Sequence, residues 1–185
     1  MAVRLDTVSN LLAQIERTTP VFFKDGSWRW VSVKRFHVTG PGADRELLGA
    51  LITNPSYRDY YTSPDSETPD PVHGPYELSR ISIDLFMPLN KTETIEALRE
   101  WTREWAYPDR CDASWPWDIE PPAPSIDGDA TIVRDLVAAA AARYRLADLG
   151  RDAHHRLGWV LGEFLELVLV NRANDQLSLV VASRD

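Results

Sequence analysis

The side chains able to do chemistry in this 185-residue chain are few and scattered. Its histidines are His37, His73, His154 and His155, and its one cysteine is Cys111. His154 and His155 are adjacent, so in a helix or strand they diverge rather than chelate one ion. No His-x-x-x-His or His-Glu-x-x-His spacing occurs, and no metal site is implied. Cys111 lies between Arg110, which favours a thiolate, and Asp112, which opposes it, so no activated nucleophile is argued. There is no nucleophile elbow, phosphate loop or dinucleotide fingerprint, and no cofactor is called for. The glycine spacing of Gly158-Trp159-Val160-Leu161-Gly162 lies in an apolar run and fits strand packing better than a phosphate cradle. The acid–base pair left to consider is His73 as base with Asp112 or Asp118 as acid, on loops that close as lids.

Charge is more informative. The formal net charge is −8, which argues against a grip on nucleic acid. Two Pro-rich segments, 57–77 and 107–129, hold 11 acidic and 2 basic residues, leaving 17 acidic and 18 basic for the rest of the chain. Gathered on one side, these loops make a negative field that attracts cationic partners and weakens with salt. Seven tryptophans are present, most expected in the core. Trp115 and Trp117 flank Pro116 among carboxylates, and either fold back as anchors or form a platform for a planar or cationic ligand. The expected binding set is therefore Trp115, Trp117, Asp112, Asp118, Glu120, Asp65, Glu67 and Asp70. It defines a binding or regulatory domain whose acidic loops dock a protein partner or a basic ligand; plain solvation of polar loops is the blander account. The alternative is a small-molecule-binding protein or enzyme. Its cleft is gated by the same loops, lies near Trp115 or Trp28, and has a histidine pointing in.

The periodicities place these residues. Leu5, Val8, Leu11, Leu12 and Ile15 predict a helix over 3–17, ended by Thr18-Thr19-Pro20. Val21–Val38 reads as a hairpin turning at Asp25-Gly26; Trp28 and Trp30 on one face, with Val31 and Val33 on the other, suggest a bulge or strong twist. A helix over 43–53 buries Leu47, Leu48, Leu51 and Ile52. Residues 57–76 read as a long loop, and Ile81, Ile83, Leu85 and Met87 as the buried side of a strand ended by Pro88. Asn90 with Glu93 predicts a capped helix running to about Trp105. Another helix is expected over 130–147, with Gly150 as its stop. Trp159–Val170 predicts a strand covered on both faces, Asn171–Asp175 a turn, and Leu177–Val181 a final strand.

The class is thus α+β, one domain over 1–185: a mostly antiparallel sheet with a terminal β-hairpin, helices packed on it, and two long acidic loops. No apolar stretch is long enough for a membrane span, and no leader is visible, so a cytoplasmic location is expected. A basic set of 17 arginines and 3 lysines suggests a GC-rich bacterial genome. A homodimer pairing the final strand across a two-fold axis is a further expectation. If the acidic loops dock a partner, replacing Asp112, Asp118 and Glu120 with Asn and Gln weakens its capture and flattens the salt dependence. Binding left unchanged by that triple variant removes the docking role.

Overall fold

The computed structural model of the chain describes residues 11–22, 29–61, 71–103 and 129–184. At its centre is a six-stranded antiparallel sheet. In chain order its strands are β1 (Leu12–Phe22), β2 (Arg29–Val38), β5 (Phe86–Pro88), β6 (Ala142–Leu146), β7 (Gly162–Asn171) and β8 (Gln176–Arg184). Their spatial order is β1-β2-β8-β7-β6-β5. A separate short hairpin joins β3 (Val72–His73) to β4 (Tyr76–Glu77). Helices α1 (Asp44–Thr53), α2 (Lys91–Arg103) and α3 (Asp129–Ala139) complete the α+β arrangement. Among the described residues, no helix is long and apolar enough to cross a membrane.

Alternation along the central strands builds two cores. Trp30, Phe36 and Val38 of β2 share one face with Leu177, Leu179 and Val181 of β8 and with Val168 and Val170 of β7. This face packs on Leu47, Leu48 and Leu51 of α1. The intervening residues, among them Val31, Val33, Val180, Leu165, Leu167 and Leu169, pack on Leu98 and Trp101 of α2 and Val133 and Val137 of α3. Covering both faces explains why Leu165–Val170 is almost unbroken in apolar residues although its neighbours are antiparallel. The register of β2 with β8 runs unbroken from Arg29↔Arg184 to His37↔Gln176, while its pairing with β1 slips between Gln14 and Glu16 and between Thr18 and Val21, so the expected irregularity falls in β1 rather than β2. Trp30 and Val31 simply serve opposite cores.

Several local expectations are corrected. The described part of the predicted 3–17 helix is strand β1, paired with β2 from Leu12↔Val38 to Phe22↔Trp30. Leu12 is buried and Ile15 exposed, whereas one helical stripe would hide both. The 57–76 loop is ordered at both ends, by a 3-10 turn at Pro55–Tyr57 and by the β3–β4 hairpin. The strand expected over 81–87 begins only at Phe86, because a 3-10 turn at Ile83–Leu85 shifts its phase. Phe86 then points inward and Met87 outward. The 130–147 helix ends at Ala139, and Ala142–Leu146 is strand β6. Trp159, expected in the core, is 74% exposed on a 3-10 turn at Gly158–Val160, ahead of the strand. Finally, β8 is paired with β2 on one edge and β7 on the other, so it has no free edge for a two-fold partner.

The helix ends show how sequence sets these boundaries. Asn90 Oδ1 accepts from the Glu93 N–H at 3.0 Å, and Glu93 Oε2 accepts from the Asn90 N–H at 2.7 Å. This is the predicted reciprocal cap of α2. At the end of α3 the guanidinium of Arg143 turns back onto two carbonyls. Its Nη2 donates to Val137 O at 2.7 Å and Ala140 O at 2.6 Å, and its Nε donates to Val137 O at 3.0 Å. These carbonyls would otherwise face the helix end without donors. Alanine propensity alone favours continuing the helix; this cap, and pairing of Ala142–Arg145 with β7, end it. Replacing Arg143 with Met keeps the stem and removes the donors, so urea unfolding should show a loss of about 1–2 kcal/mol. An unchanged midpoint would contradict the capping role.

Candidate functional site

Beneath the α1 side of the sheet lies a group of buried charges that apolar strands carry inward. Glu166 stands in the middle of β7 with its side chain fully buried, as is that of His73. His73 Nε2 lies 2.8 Å from Glu166 Oε2, and the Tyr57 hydroxyl donates to Glu166 Oε1 at 2.9 Å. His73 Nδ1–H donates to the Tyr57 carbonyl. A carbonyl only accepts, so Nδ1 carries a hydrogen, and Nε2 and Oε2 hold one further proton between them. The imidazole stacks on the Tyr57 ring at 3.7 Å and 5°, aiming both groups at the same carboxylate. Burial pushes the Tyr57 hydroxyl well above its ordinary pKa, and the adjacent Glu166 charge adds to the effect.

A second buried pair adjoins the first. Lys34, inward-facing in β2, lies 2.7 Å from Asp59 and donates to Ser56 O at 2.8 Å. Its ammonium is 4.8 Å from the centre of the Tyr61 ring. Tyr61 stacks on Trp30 and meets His73 edge-on, with its backbone in the left-handed region at φ 56°. The Asp59 carboxylate therefore belongs to an internal pair, not to a surface field. Ser32, on the same face of β2, is buried, and its hydroxyl has no partner among the described residues.

This interior is joined to an open cleft of about 850 Å³. Phe164 is the link: its ring meets His73 and Tyr76 edge-on and also lines the cleft. The β3–β4 turn supplies Pro75 and Tyr76, and residues 148–161 form the opposite wall with Asp148, Arg151, His154, His155 and Trp159. Arg145 reaches it from β6. Gly74 sits at φ +54°, where a Cβ would be 2.2 Å from the Phe164 ring. Gly158 packs so tightly that a Cβ would be 2.1 Å from Pro75 O. Both walls thus depend on glycine. At the start of β7 the register with β8 slips between Gly162 and Leu165, and Glu163 takes φ 52°. Such a bulge redirects side chains beside a site.

The polar groups of the cleft divide into committed and uncommitted ones. Asp148 Oδ1 accepts from the Tyr76 hydroxyl at 3.1 Å and the Gly150 N–H at 2.9 Å. Burial raises the Tyr76 hydroxyl to about 12, with Asp148 adding to the effect. Glu163 pairs with Arg184 at 3.3 Å. His155 Nε2–H donates to Gly74 O at 3.1 Å, and its Nδ1 lies 3.3 Å from the Leu157 N–H, so both ring nitrogens have partners in the chain. Among the described residues, Arg145 and Arg151 make no side-chain hydrogen bond or ion pair.

The binding residues expected from sequence, Trp115, Trp117, Asp112, Asp118, Glu120, Asp65, Glu67 and Asp70, lie outside the described residues, as do Trp28 and Cys111. His73 is described, and both its ring nitrogens are spent inside the core, where it meets Tyr57 and Glu166 rather than serving as the base on a closing loop expected of it. Glu166, Lys34, Tyr57, Arg145 and Trp159 went unassigned. The available signals were a lone acid within Leu165–Val170 and one of only three lysines amid β2. Among the described residues, no three His, Cys, Asp or Glu side chains gather as a metal site. No protein-family model, curated protein or solved structure matches the chain.

Breaking the buried network on one side should be costly. Glu166→Leu strands the His73 ring and the Tyr57 hydroxyl and should lower unfolding free energy by about 3–5 kcal/mol. Replacing Tyr57, His73 and Glu166 together with Phe, Leu and Leu should recover part of that loss. A single variant as stable as the parent would show that the carboxylate anchors nothing. Conversely, Ser32→Ala removes a buried hydroxyl without a partner and should leave the melting temperature equal or higher.

Proposed function

We propose that the chain is a small-molecule-binding domain whose ligand sits in the cleft at Trp159. The observation that carries this reading is an indole 74% exposed at the side of a cleft of about 850 Å³. Tryptophan gains much from burial, and cavities of this size suit drug-sized molecules. The ring-lined surface of Tyr76 and Phe164 is held by the glycine contacts and the β7 bulge, so the cavity is preformed rather than assembled on binding. One wall comes from Pro75 and Tyr76 of the 57–77 segment, in keeping with a cleft bounded by that loop.

Docking of a protein partner or cationic ligand by the acidic loops rests on residues outside those described. Within the described part of the first loop, Asp59 is paired with Lys34 and Glu77 lies 3.7 Å from Arg80, so neither adds an unmatched charge to a negative face. The cleft is therefore the reading we carry forward. A cytoplasmic, bacterial setting belongs to the same proposal, supported by the single cysteine and the arginine-rich composition.

Ligand-observed NMR with a mixed fragment library provides the test. Aromatic fragments should bind the parent, and Trp159→Ala, whose exposed side chain contributes little to folding, should weaken them by about fivefold or more while the melting temperature stays unchanged. A library that yields no binder, or binders indifferent to Trp159→Ala, overturns the assignment.

A further inference from the structure

We infer that the ligand of this cleft is a flat aromatic anion, its ring system lying against Trp159 and Phe164 and its charged group held by Arg145 and Arg151. The inference rests on the reading of the cleft as a binding site and adds the chemistry of the occupant.

Of the cleft's two carboxylates, Asp148 accepts two hydrogen bonds and Glu163 is paired with Arg184, so both have internal work. Its two guanidinium groups have none among the described residues. Among the charged residues that line the cleft, Arg145 and Arg151 balance Asp148 and Glu163, on a chain whose formal charge is −8. Two guanidinium groups without an internal partner among the described residues, in a cavity whose carboxylates are both engaged, offer an anion donors that a cation does not find. Arg145 sharpens the point. It is only partly exposed, in a strand between β5 and β7, where a guanidinium normally has a carboxylate partner. Guanidinium forks suit the paired oxygens of carboxylate and phosphate alike.

The apolar half of the cleft selects shape. Tyr76, Phe164 and Trp159 present ring surfaces, and His155, whose ring nitrogens both have partners in the chain, adds another plane. Flat rings gain from such faces by stacking and edge contacts that flexible chains do not match. A molecule with both features engages the two uncommitted guanidinium groups and the ring surfaces together.

The probes are naphthalene-2-carboxylate, 2-naphthyl phosphate and the uncharged naphthalene-2-carboxamide, titrated calorimetrically at low and high salt. At least one anion should bind about tenfold more tightly than the carboxamide at low salt, with the advantage shrinking as salt rises. Preference between the two anions identifies the charged group as carboxylate or phosphate. Arg151→Met, at an exposed position, should erase most of the advantage without changing the melting temperature. Arg145→Met should do the same, and Arg151→Met decides alone if the strand variant fails to fold. Trp159→Ala should weaken all three compounds together. If the carboxamide equals both anions, the anion assignment is overturned while the cleft reading survives. If none of the three binds, the ligand class fails, and the fragment screen decides separately whether the cleft binds anything.

Discussion

A carboxylate inside an antiparallel sheet needs donors, and Glu166 obtains them from chain segments far away in sequence. Tyr57 comes from the turn after α1 and His73 from the β3–β4 hairpin, so one side chain of β7 fixes two connections that have little regular structure of their own. An unpaired charge at this depth costs several kcal/mol, which makes the wrong placement of either segment expensive. Lys34 and Asp59 repeat the device from β2, on the far side of β8, linking that strand to the same connection. Polar pairs thus set where these segments dock, while the surrounding leucines and valines supply the general drive to collapse.

The cleft inherits its shape from this interior. Phe164 touches His73 on one side and faces the cavity on the other, and Gly74 follows His73 directly. One wall of the cleft is therefore the outer surface of the segment that the buried carboxylate holds. The bulge at Gly162–Leu165 completes the connection, because it breaks strict alternation between Glu163, which faces the cavity, and Leu165, which serves the α2–α3 core. Support of this kind holds the cleft open in the folded chain.

What could be read from the sequence follows the strength of the local signal. The α+β class, the β7–β8 hairpin, the α1 core residues and the Asn90–Glu93 cap all come from patterns that tertiary contacts reinforce. Where local and long-range preferences conflict, the long-range contact prevails: the alanine run before Arg143 gives way to pairing with β7, and the apolar spacing near Leu12 gives way to pairing with β2. The candidate site was far less legible. Glu166 and Lys34 resemble ordinary polar positions in alternating strands until three-dimensional pairing buries them. Trp159 resembles the first residue of a buried strand until Gly158, pressed against Pro75, places it on a turn. Spacing along one segment contains no information about either partner.

The strand order also bears on assembly in time. β1–β2 and β5–β6 are formed from earlier parts of the chain, yet they join one sheet only through β7 and β8, the strands made last. During synthesis the two strand pairs emerge as separate fragments, each with an open edge awaiting the hairpin. Sheet closure then requires contacts across long sequence separations, the arrangement that slows folding and prolongs exposure of unpaired backbone.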